Sequence, residues 1–246
     1  MIKKVVIAAA GRSTRMLQLA LNKSKHLINI KKKPFIFYLL DNIFKAGYKE
    51  IILVIGYKAE KFKEILRNYR LPAKGCKIQF VNQFEILGKE KYGTACPLMC
   101  VKDIIGKENF LMVAGGDFYL PETLKKFRTL DDKYNYLAGY YHKQPQKYGV
   151  LSLDKKGFLK KIVEKPKKPI GNIINISLYR FTPEIFDKVK KIKKSKRGEY
   201  EVTDAASLLA KEKKVKVIMV SNYWLDFGNP TDIIKLSKFL KDNNQK

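Results

Sequence analysis

A turn of small residues carrying two cations follows the first apolar run of the chain, which reads VVIAAAGRSTRM. The run ends at Ala10 and turns at Gly11, and backbone N–H groups in such a turn form an anion-binding nest. Arg15 offers a planar fork of donors and Lys25 a point charge, so together they can hold a triphosphate. The loop matches neither the G-x-G-x-x-G fingerprint nor the G-x-x-x-x-G-K-[ST] phosphate loop. An ordinary strand-to-helix turn in a lysine-rich chain is the alternative interpretation.

The surrounding elements indicate where this turn must lie. In the first half, short apolar strands with helices between them are predicted at residues 3–9, 50–55, 77–81 and 109–114. This alternation predicts a parallel sheet whose two faces are both covered by helices. The second half is more mixed, with strands predicted at residues 134–141, 149–153, 158–163, 173–181 and 215–220. Ligands of open α/β sheets bind outside the carboxyl ends of the strands, which is where the Gly11 turn falls.

Composition limits the compartment and the domain count. The chain has 246 residues with no repeat or linker, so we expect a single domain over residues 1–241 and a polar tail at 242–246. No apolar run approaches the length that crosses a membrane, and no signal-peptide pattern opens the chain, so a cytoplasmic location without a membrane partner is expected. The three cysteines form no C-x-x-C pair, which favours core thiols in a reducing compartment over a disulfide framework or a zinc site.

The formal net charge of +28 is extreme, and such a field attracts polyanions. The lysines are spread over the whole chain, and no basic stripe is interleaved with aromatic residues, so we expect no specific nucleic-acid partner. Lysine in place of other polar surface residues explains the charge without a partner. A nucleic-acid-binding protein, motivated by charge alone, stays as an alternative, and the sequence leaves a homo-oligomer open.

Five stretches in order carry a resemblance that spans residues 5–240. They read AAGRSTRM, SKHLINIKKKPFI, GTACPLM, GGDF, and EKP with WLDFGNP. The set resembles the sugar-1-phosphate nucleotidylyltransferases, or NDP-sugar pyrophosphorylases, of the type that joins UTP or dTTP to glucose-1-phosphate. The resemblance implies a Rossmann-like three-layer α/β sandwich with a mixed, mostly parallel central sheet. The chain departs from the family pattern at Ser13 and Ser177, where glycine is usual, and at Ser24, where proline is usual.

The reaction of that family brings two anions together. An oxygen of the sugar-1-phosphate attacks the α-phosphorus of a nucleoside triphosphate and pyrophosphate leaves, so the repulsion between the reactants must be neutralised. The resemblance implies two catalytic cations, Lys25 on the α-phosphate and Arg15 on the β- and γ-phosphates. It also implies that Asp117 and Asp226 share a Mg²⁺ ion, a hard cation that prefers oxygen ligands.

The resemblance also assigns two substrate sites. The nucleotide would lie against Ala10, Gly11, Ser13, Thr14, Gln83, Gly93 and Thr94. The sugar phosphate would contact Gly149, Glu164, Lys165 and Asn175, with Lys165 on its phosphate and Glu164 on its hydroxyls. A side-chain amide such as that of Gln83 can pair with the donor–acceptor edge of uracil or thymine. Tyr223 and Trp224 are either walls of the sugar site or core aromatics.

Two further alternatives stay open within the same fold. One is a cytidylyltransferase acting on an alcohol phosphate such as phosphocholine. The other is a non-catalytic regulatory homologue that binds a sugar nucleotide without turnover, which Ser13 and Ser24 motivate and the retained charged residues oppose. The expected function is Mg²⁺-dependent transfer of a nucleotidyl group to a hexose-1-phosphate, with glucose-1-phosphate as the default.

Overall fold

Short strands form the frame of the molecule. A computed structural model describes residues 1–12, 16, 24–168 and 170–243 of the chain. The strands within these residues are β1 (Lys4–Ala8), β2 (Asn29–Ile30), β3 (Lys33–Pro34), β4 (Glu50–Ile55), β5 (Lys77–Asn82), β6 (Phe110–Ala114), β7 (Asp117–Tyr119), β8 (Asn135–Tyr141), β9 (Gly149–Leu153), β10 (Leu159–Glu164), β11 (Ile173–Phe181), β12 (Val215–Met219) and β13 (Trp224–Asp226).

Helices connect most of these strands. They are α1 (Phe35–Lys45), α2 (Ala59–Leu66), α3 (Gln83–Leu87), α4 (Cys96–Ile105), α5 (Pro121–Arg128), α6 (Glu184–Val189), α7 (Val202–Lys211) and α8 (Thr231–Asn243). In α1, residues at helical spacing such as Phe35, Leu39 and Ile43 are fully buried, as the apolar periodicity predicts. Across the described ranges, no helix is long and apolar enough to cross a membrane.

One large sheet dominates the described part of the chain. Its strand order is β10-β9-β11-β6-β1-β4-β5, and β8 joins β11 to β12 on a side branch. β1 pairs in parallel with β4 and β6, β4 with β5, and β12 with β8. β11 is antiparallel to β6, β8 and β9, and β10 is antiparallel to β9. All strands of this sheet except β10 and β11 therefore run in one direction.

Both faces of this sheet are covered, because successive side chains on a strand point to opposite sides. In β1, Val5 and Ile7 belong to one apolar cluster and Val6 to another, and β4 repeats the pattern with Ile51 and Ile52. The first cluster includes side chains of α1, α2 and α5, and the second includes those of α4, α6 and α7. A smaller cluster joins α8 to the short strands β2, β7 and β13. This layering confirms the predicted mixed α/β sandwich.

Several elements differ from the sequence-based expectation. The sequence pattern did not predict the short helix α3 directly after β5, where the Asn82 side chain accepts the Phe84 N–H at 3.1 Å and caps the first turn. α5 was also missed, although Pro121 stands in its first turn, where proline is tolerated. α4 begins only at Cys96, three residues after Gly93, because Gly93 has a φ of +139° that no helix allows.

Lysine occupies backbone positions that usually take glycine or asparagine. Of the described non-glycine residues with positive φ, all but Ser177 are lysines, namely Lys31, Lys32, Lys58, Lys165 and Lys213. Lys31 and Lys32 form the two-residue turn between β2 and β3, where Asn-Gly is the common choice. The Cβ of a non-glycine residue costs about 1–2 kcal/mol in this conformation.

Two helix ends allow a direct comparison of these residue types. After α1, Gly47 and Tyr48 donate to the carbonyls of Phe44 (2.8 Å) and Ile43 (3.4 Å), which is a Schellman motif with glycine in the left-handed position. After α7, Lys213 holds the same position with a φ of +55° and donates to the Ala210 carbonyl at 2.9 Å. The motif therefore forms with lysine, at the expense of backbone strain.

We expect Lys213→Gly to raise the free energy of unfolding by about 0.5–1 kcal/mol, because it removes the Cβ from a left-handed residue. Urea denaturation of the two proteins measures this difference. Lys211→Gly, at the last residue of α7, is the matched control and should lower stability, by less than about 1 kcal/mol. Equal effects of the two substitutions would show that the backbone conformation at residue 213 is not strained.

Candidate active site

A cavity of about 360 Å³ opens at the carboxyl ends of the parallel strands. All the predicted site residues that lie within the described ranges line it: Ala10, Gly11, Lys25, Gln83, Gly93, Thr94, Asp117, Gly149, Glu164, Lys165, Asn175 and Asp226. Ser13, Thr14 and Arg15 lie outside the described residues. The strand order explains the convergence, since β1 and β6 are central and their ends are joined by a hydrogen bond from Gly115 N–H to the Ala8 carbonyl (2.8 Å).

The two predicted metal ligands face each other across a short antiparallel pair of strands. Asp117 in β7 is in register with Asp226 in β13, and the Phe227 N–H donates to the Gly116 carbonyl at 2.8 Å just beyond them. Asp117 is buried and Asp226 is partly buried. Burial first, and then the Asp226 carboxylate, raise the pKa of Asp117, while the Lys25 charge opposes the shift. Two carboxylates placed in this way either share a proton, as the raised pKa indicates, or hold a cation between them.

Lys25 supplies one positive charge at this point. It begins a 3₁₀ turn, Lys25–Leu27, and its ammonium group lies against Gly116, where any Cβ would overlap it. Its charge is close enough to lower the pKa values of both Asp117 and His26. The glycine therefore gives the Lys25 side chain its path to the carboxylate pair.

The hydroxyl of Tyr119 contacts the Asp117 carboxylate. Its hydroxyl lies 3.0 Å from Asp117 Oδ2, 2.7 Å from the Ile176 carbonyl and 3.1 Å from the Ser177 carbonyl. The one proton of this hydroxyl can serve only one of these acceptors at a time. The two carbonyls belong to an irregular stretch of β11 in which the register shifts and Ser177 has a φ of +54°.

The β10 side of the cavity carries the predicted sugar-phosphate residues. Gly149 and Glu164 are partners in the β9–β10 ladder, and a Cβ on Gly149 would lie 2.8 Å from Glu164 Oε2, so only glycine leaves the carboxylate its place. Lys165 follows with a φ of +43°, a strained conformation of the kind found at functional sites. Asn175 Nδ2 donates to the Tyr179 hydroxyl at 2.6 Å, which orients both side chains.

The β5 side carries the predicted nucleotide residues. Gln83 is 2% exposed, and its Oε1 has no hydrogen-bond partner among the described residues. Such a buried acceptor calls for a donor from a ligand or from water. Thr94, in contrast, makes hydrogen bonds within the protein. Its hydroxyl accepts the Val202 N–H at 2.9 Å and lies 3.3 Å from Glu201 Oε2. Thr94 thus ties the segment before α7 to the cavity wall.

Comparison with known proteins decides the family. A family model described as nucleotidyl transferase matches residues 4–243. The chain belongs to the nucleotidyl transferase family. This result confirms the resemblance found in the sequence motifs.

The relatives of this nucleotidyl transferase family member are enzymes by name. The chain is 34% identical over 238 residues to the bifunctional protein GlmU of Methanocaldococcus jannaschii. The matched region covers 96% of this chain and 54% of that protein. The chain is 29% identical over 234 residues to the UTP–glucose-1-phosphate uridylyltransferase AglF of Haloferax volcanii, covering 93% of each. A solved structure of UDP-glucose pyrophosphorylase complexed with UDP-glucose matches with a TM-score of 0.86 at 25% identity, covering 99% of this chain and 100% of that one. The chain spans about half the length, 54% and 56%, of the first curated relatives that it matches.

Sequence reasoning missed one charged cluster in the cavity of this family member. Arg197 pairs with Glu164 (3.5 Å), Glu199 (3.4 Å) and Glu201 (3.2 Å), and all four side chains line the cavity. The available signal was an arginine followed by two glutamates, two and four residues later, in RGEYE, within a chain whose cations are mostly lysines. Tyr223 and Trp224 were expected to be either walls of the sugar site or core aromatics. Trp224 lines the cavity, whereas the Tyr223 ring stacks on that of Phe239 with the centroids 3.8 Å apart.

We expect Gly93→Ala to destabilise the protein by about 3 kcal/mol or more. A Cβ at Gly93 would overlap the Tyr200 backbone, and the φ of +139° is strained for alanine. Thermal unfolding and substrate KM values measure the loss and the displacement of the cavity wall. Gly88→Ala is the control, since Gly88 also has a positive φ but no atom within 4 Å of the new Cβ, so it should cost only about 1 kcal/mol. A smaller loss at Gly93 than at Gly88 would contradict the close approach.

Proposed function

We propose that this chain transfers a nucleotidyl group from UTP or dTTP to a hexose-1-phosphate, with glucose-1-phosphate as the first substrate to test. The observation that carries the proposal is the meeting of Lys25, Asp117 and Asp226 in one cavity between a nucleotide side and a sugar side. Gln83 follows β5 at one edge of the sheet, and Glu164 ends β10 at the other. Two anionic reactants placed on these sides would meet at the charged centre.

The donor set at this centre fits Mg²⁺. Mg²⁺ is usually held by one or two carboxylates, with water and substrate phosphate oxygens completing its shell. Asp117 and Asp226 provide that number. When bound, the ion neutralises phosphate oxygens and orients the reactants.

The side chains of the cavity would bind the phosphate groups and the sugar of the two substrates. Lys25 lies beside Asp117 and would stabilise the charge that develops on the α-phosphate. Lys165 and Arg197 would bind the phosphate of the sugar, and Glu164 would accept hydrogen bonds from its hydroxyls. Arg15 would hold the departing pyrophosphate, which remains a prediction because that residue lies outside the described ranges.

The base preference rests on Gln83. Its buried, unpartnered Oε1 can accept from the N3–H of uracil or thymine, which suits the UTP and thymidylyl names of the relatives. The N4 amino group of cytosine is also a donor, so a cytidylyltransferase stays as a second candidate that a nucleotide competition panel separates. The three cysteines that form no disulfide suit a reducing cytoplasmic compartment, which stays a prediction.

The test is pyrophosphate release. The purified chain is incubated with UTP or dTTP, glucose-1-phosphate and Mg²⁺, and then with other nucleotides and sugar phosphates. Release that requires both substrates and stops with EDTA supports the proposal. No release with any pair, together with tight binding of an NDP-sugar, would instead support a non-catalytic homologue.

Lys25→Ala should lower kcat by about 100-fold or more, because it removes a cation from the reacting phosphate in a partly buried site. Steady-state kinetics with saturating nucleotide and sugar phosphate measure the effect. Lys126→Ala, on the exposed side of α5, is the matched control and should leave kcat unchanged. An unchanged rate in Lys25→Ala would remove the assigned role.

Asp117→Asn should abolish Mg²⁺-dependent turnover while leaving the metal-free protein at least as stable as the wild type. The pKa of Asp117 is raised in the folded state, so its contribution to stability is present at low pH and is lost as the pH rises above the ordinary carboxyl range. Unfolding in EDTA should therefore show a loss between acidic and neutral pH that is weaker in the variant. Asp103→Asn, on the exposed side of α4, is the control. A variant that retains full turnover would exclude Asp117 as a ligand.

Gln83→Met should raise the KM for the nucleotide by about tenfold or more without lowering stability. The substitution keeps the length of the side chain and removes a buried acceptor without a described partner, and one hydrogen bond of this kind contributes about 1–3 kcal/mol to binding. KM measurements and thermal unfolding test the two parts. Gln79→Met, exposed on β5, is the control. An unchanged KM would place the base elsewhere.

A further inference from the structure

The residues on either side of Lys25 are bonded to each other. Ser24 Oγ lies 2.6 Å from His26 Nδ1, and the two side chains are 0% and 3% exposed. Lys25, between them, is partly exposed and lines the cavity. Both neighbours are therefore buried, although His26 lines the cavity beside Lys25.

The hydroxyl of Ser24 does not cap the 3₁₀ turn that follows it. Ser24 precedes the 3₁₀ turn Lys25–Leu27, a position where a serine side chain often caps the turn, yet it makes no capping hydrogen bond. Its φ of −63° lies within the narrow range that a proline ring imposes, and its ψ of 147° is an extended value that proline commonly adopts. The chain thus holds a proline-like conformation by means of a side-chain hydrogen bond.

His26 anchors this bond to the core. Its ring packs on Phe62 of α2 with the centroids 5.6 Å apart, and its Cδ2 lies 3.2 Å from the position of a Cβ on Gly115. Burial, and then the Lys25 charge, hold the pKa of His26 well below its usual range, so the ring is neutral. A neutral ring can either accept from the hydroxyl at Nδ1 or donate to it, so the bond forms in both tautomers.

We propose that Ser24 and His26 are positioning residues that hold Lys25 against Gly116, where its ammonium group faces the Asp117–Asp226 pair. The turn they stabilise carries two backbone hydrogen bonds, from Leu27 N–H to the Ser24 carbonyl (2.9 Å) and from Ile28 N–H to the Lys25 carbonyl (3.1 Å). A small displacement of a group that contacts the reacting atoms costs a large factor in rate. The inference rests on the proposed function for its kinetic consequence, but its structural part does not.

The kinetic test uses Ser24→Ala and Ser24→Pro. The alanine variant should lower kcat about tenfold, with the KM of both substrates changed by less than about twofold, because the cation is misplaced while the binding sites persist. The proline variant should return kcat to within about threefold of the wild type, since the ring imposes the backbone angle that Ser24 already has. Ser237→Ala, on α8, is the matched control.

Two results would overturn the proposal. The first is wild-type kcat in Ser24→Ala. The second is a fall in kcat that proline does not recover. If Ser24→Pro does not fold, a double-mutant cycle of Ser24→Ala with His26→Phe decides instead. A single shared bond predicts that the double variant is no slower than the worse single variant, whereas multiplied losses would exclude the pairing.

An activity-independent measurement separates this proposal from the proposed function. Amide hydrogen exchange of Leu27 and Ile28 should be faster in Ser24→Ala than in the wild type, and slow again in Ser24→Pro. This result stands even if the wild-type chain releases no pyrophosphate, in which case the proposed function alone fails. Unchanged exchange in Ser24→Ala would show that the bond does not hold the turn.

Discussion

Repulsion between two facing carboxylates is the constraint around which the cavity is organised. The β7–β13 register places Asp117 and Asp226 at partner positions, so both side chains project from the same face of this strand pair. The surrounding groups act on this charge: Lys25 approaches over a glycine, and the Tyr119 hydroxyl lies within 3.0 Å of Asp117 Oδ2. A site of this kind is costly when empty and favours a cation and the anions that accompany it.

Much of this arrangement could be predicted because parallel strands bring their carboxyl ends to one edge. Gly11, Gln83 and Asp117 each follow a strand that the apolar pattern identified, and sheet topology then brings them together. Asp226 lies far along the chain from Asp117, and only the resemblance linked the two. The motif set therefore supplied the pairing, and the strand pattern supplied the place.

The remainder depends on contacts that leave no periodic signal. The partners of Arg197 are separated from it in the chain by as few as 2 and as many as 33 residues, and nothing in a run of charges says which of them meet. The irregular stretch of β11 at Ser177 arises because that strand pairs with β9 and β8 at one end and with β6 and β8 at the other. The Ser24–His26 bond is short-range, yet it is only visible once Phe62 and Gly115 enclose the ring.

The lysines in left-handed backbone conformations have a bearing on how the fold is held together. At about 0.5–1 kcal/mol each relative to glycine, Lys31, Lys32, Lys58, Lys165 and Lys213 together lower by several kcal/mol a net stability that for a typical domain is only about 5–15 kcal/mol. Tight interior packing on both sides of the sheet must outweigh that deficit. The abundance of one amino acid thus reaches beyond surface electrostatics: it sets a minimum on how well the interior of this protein has to be filled.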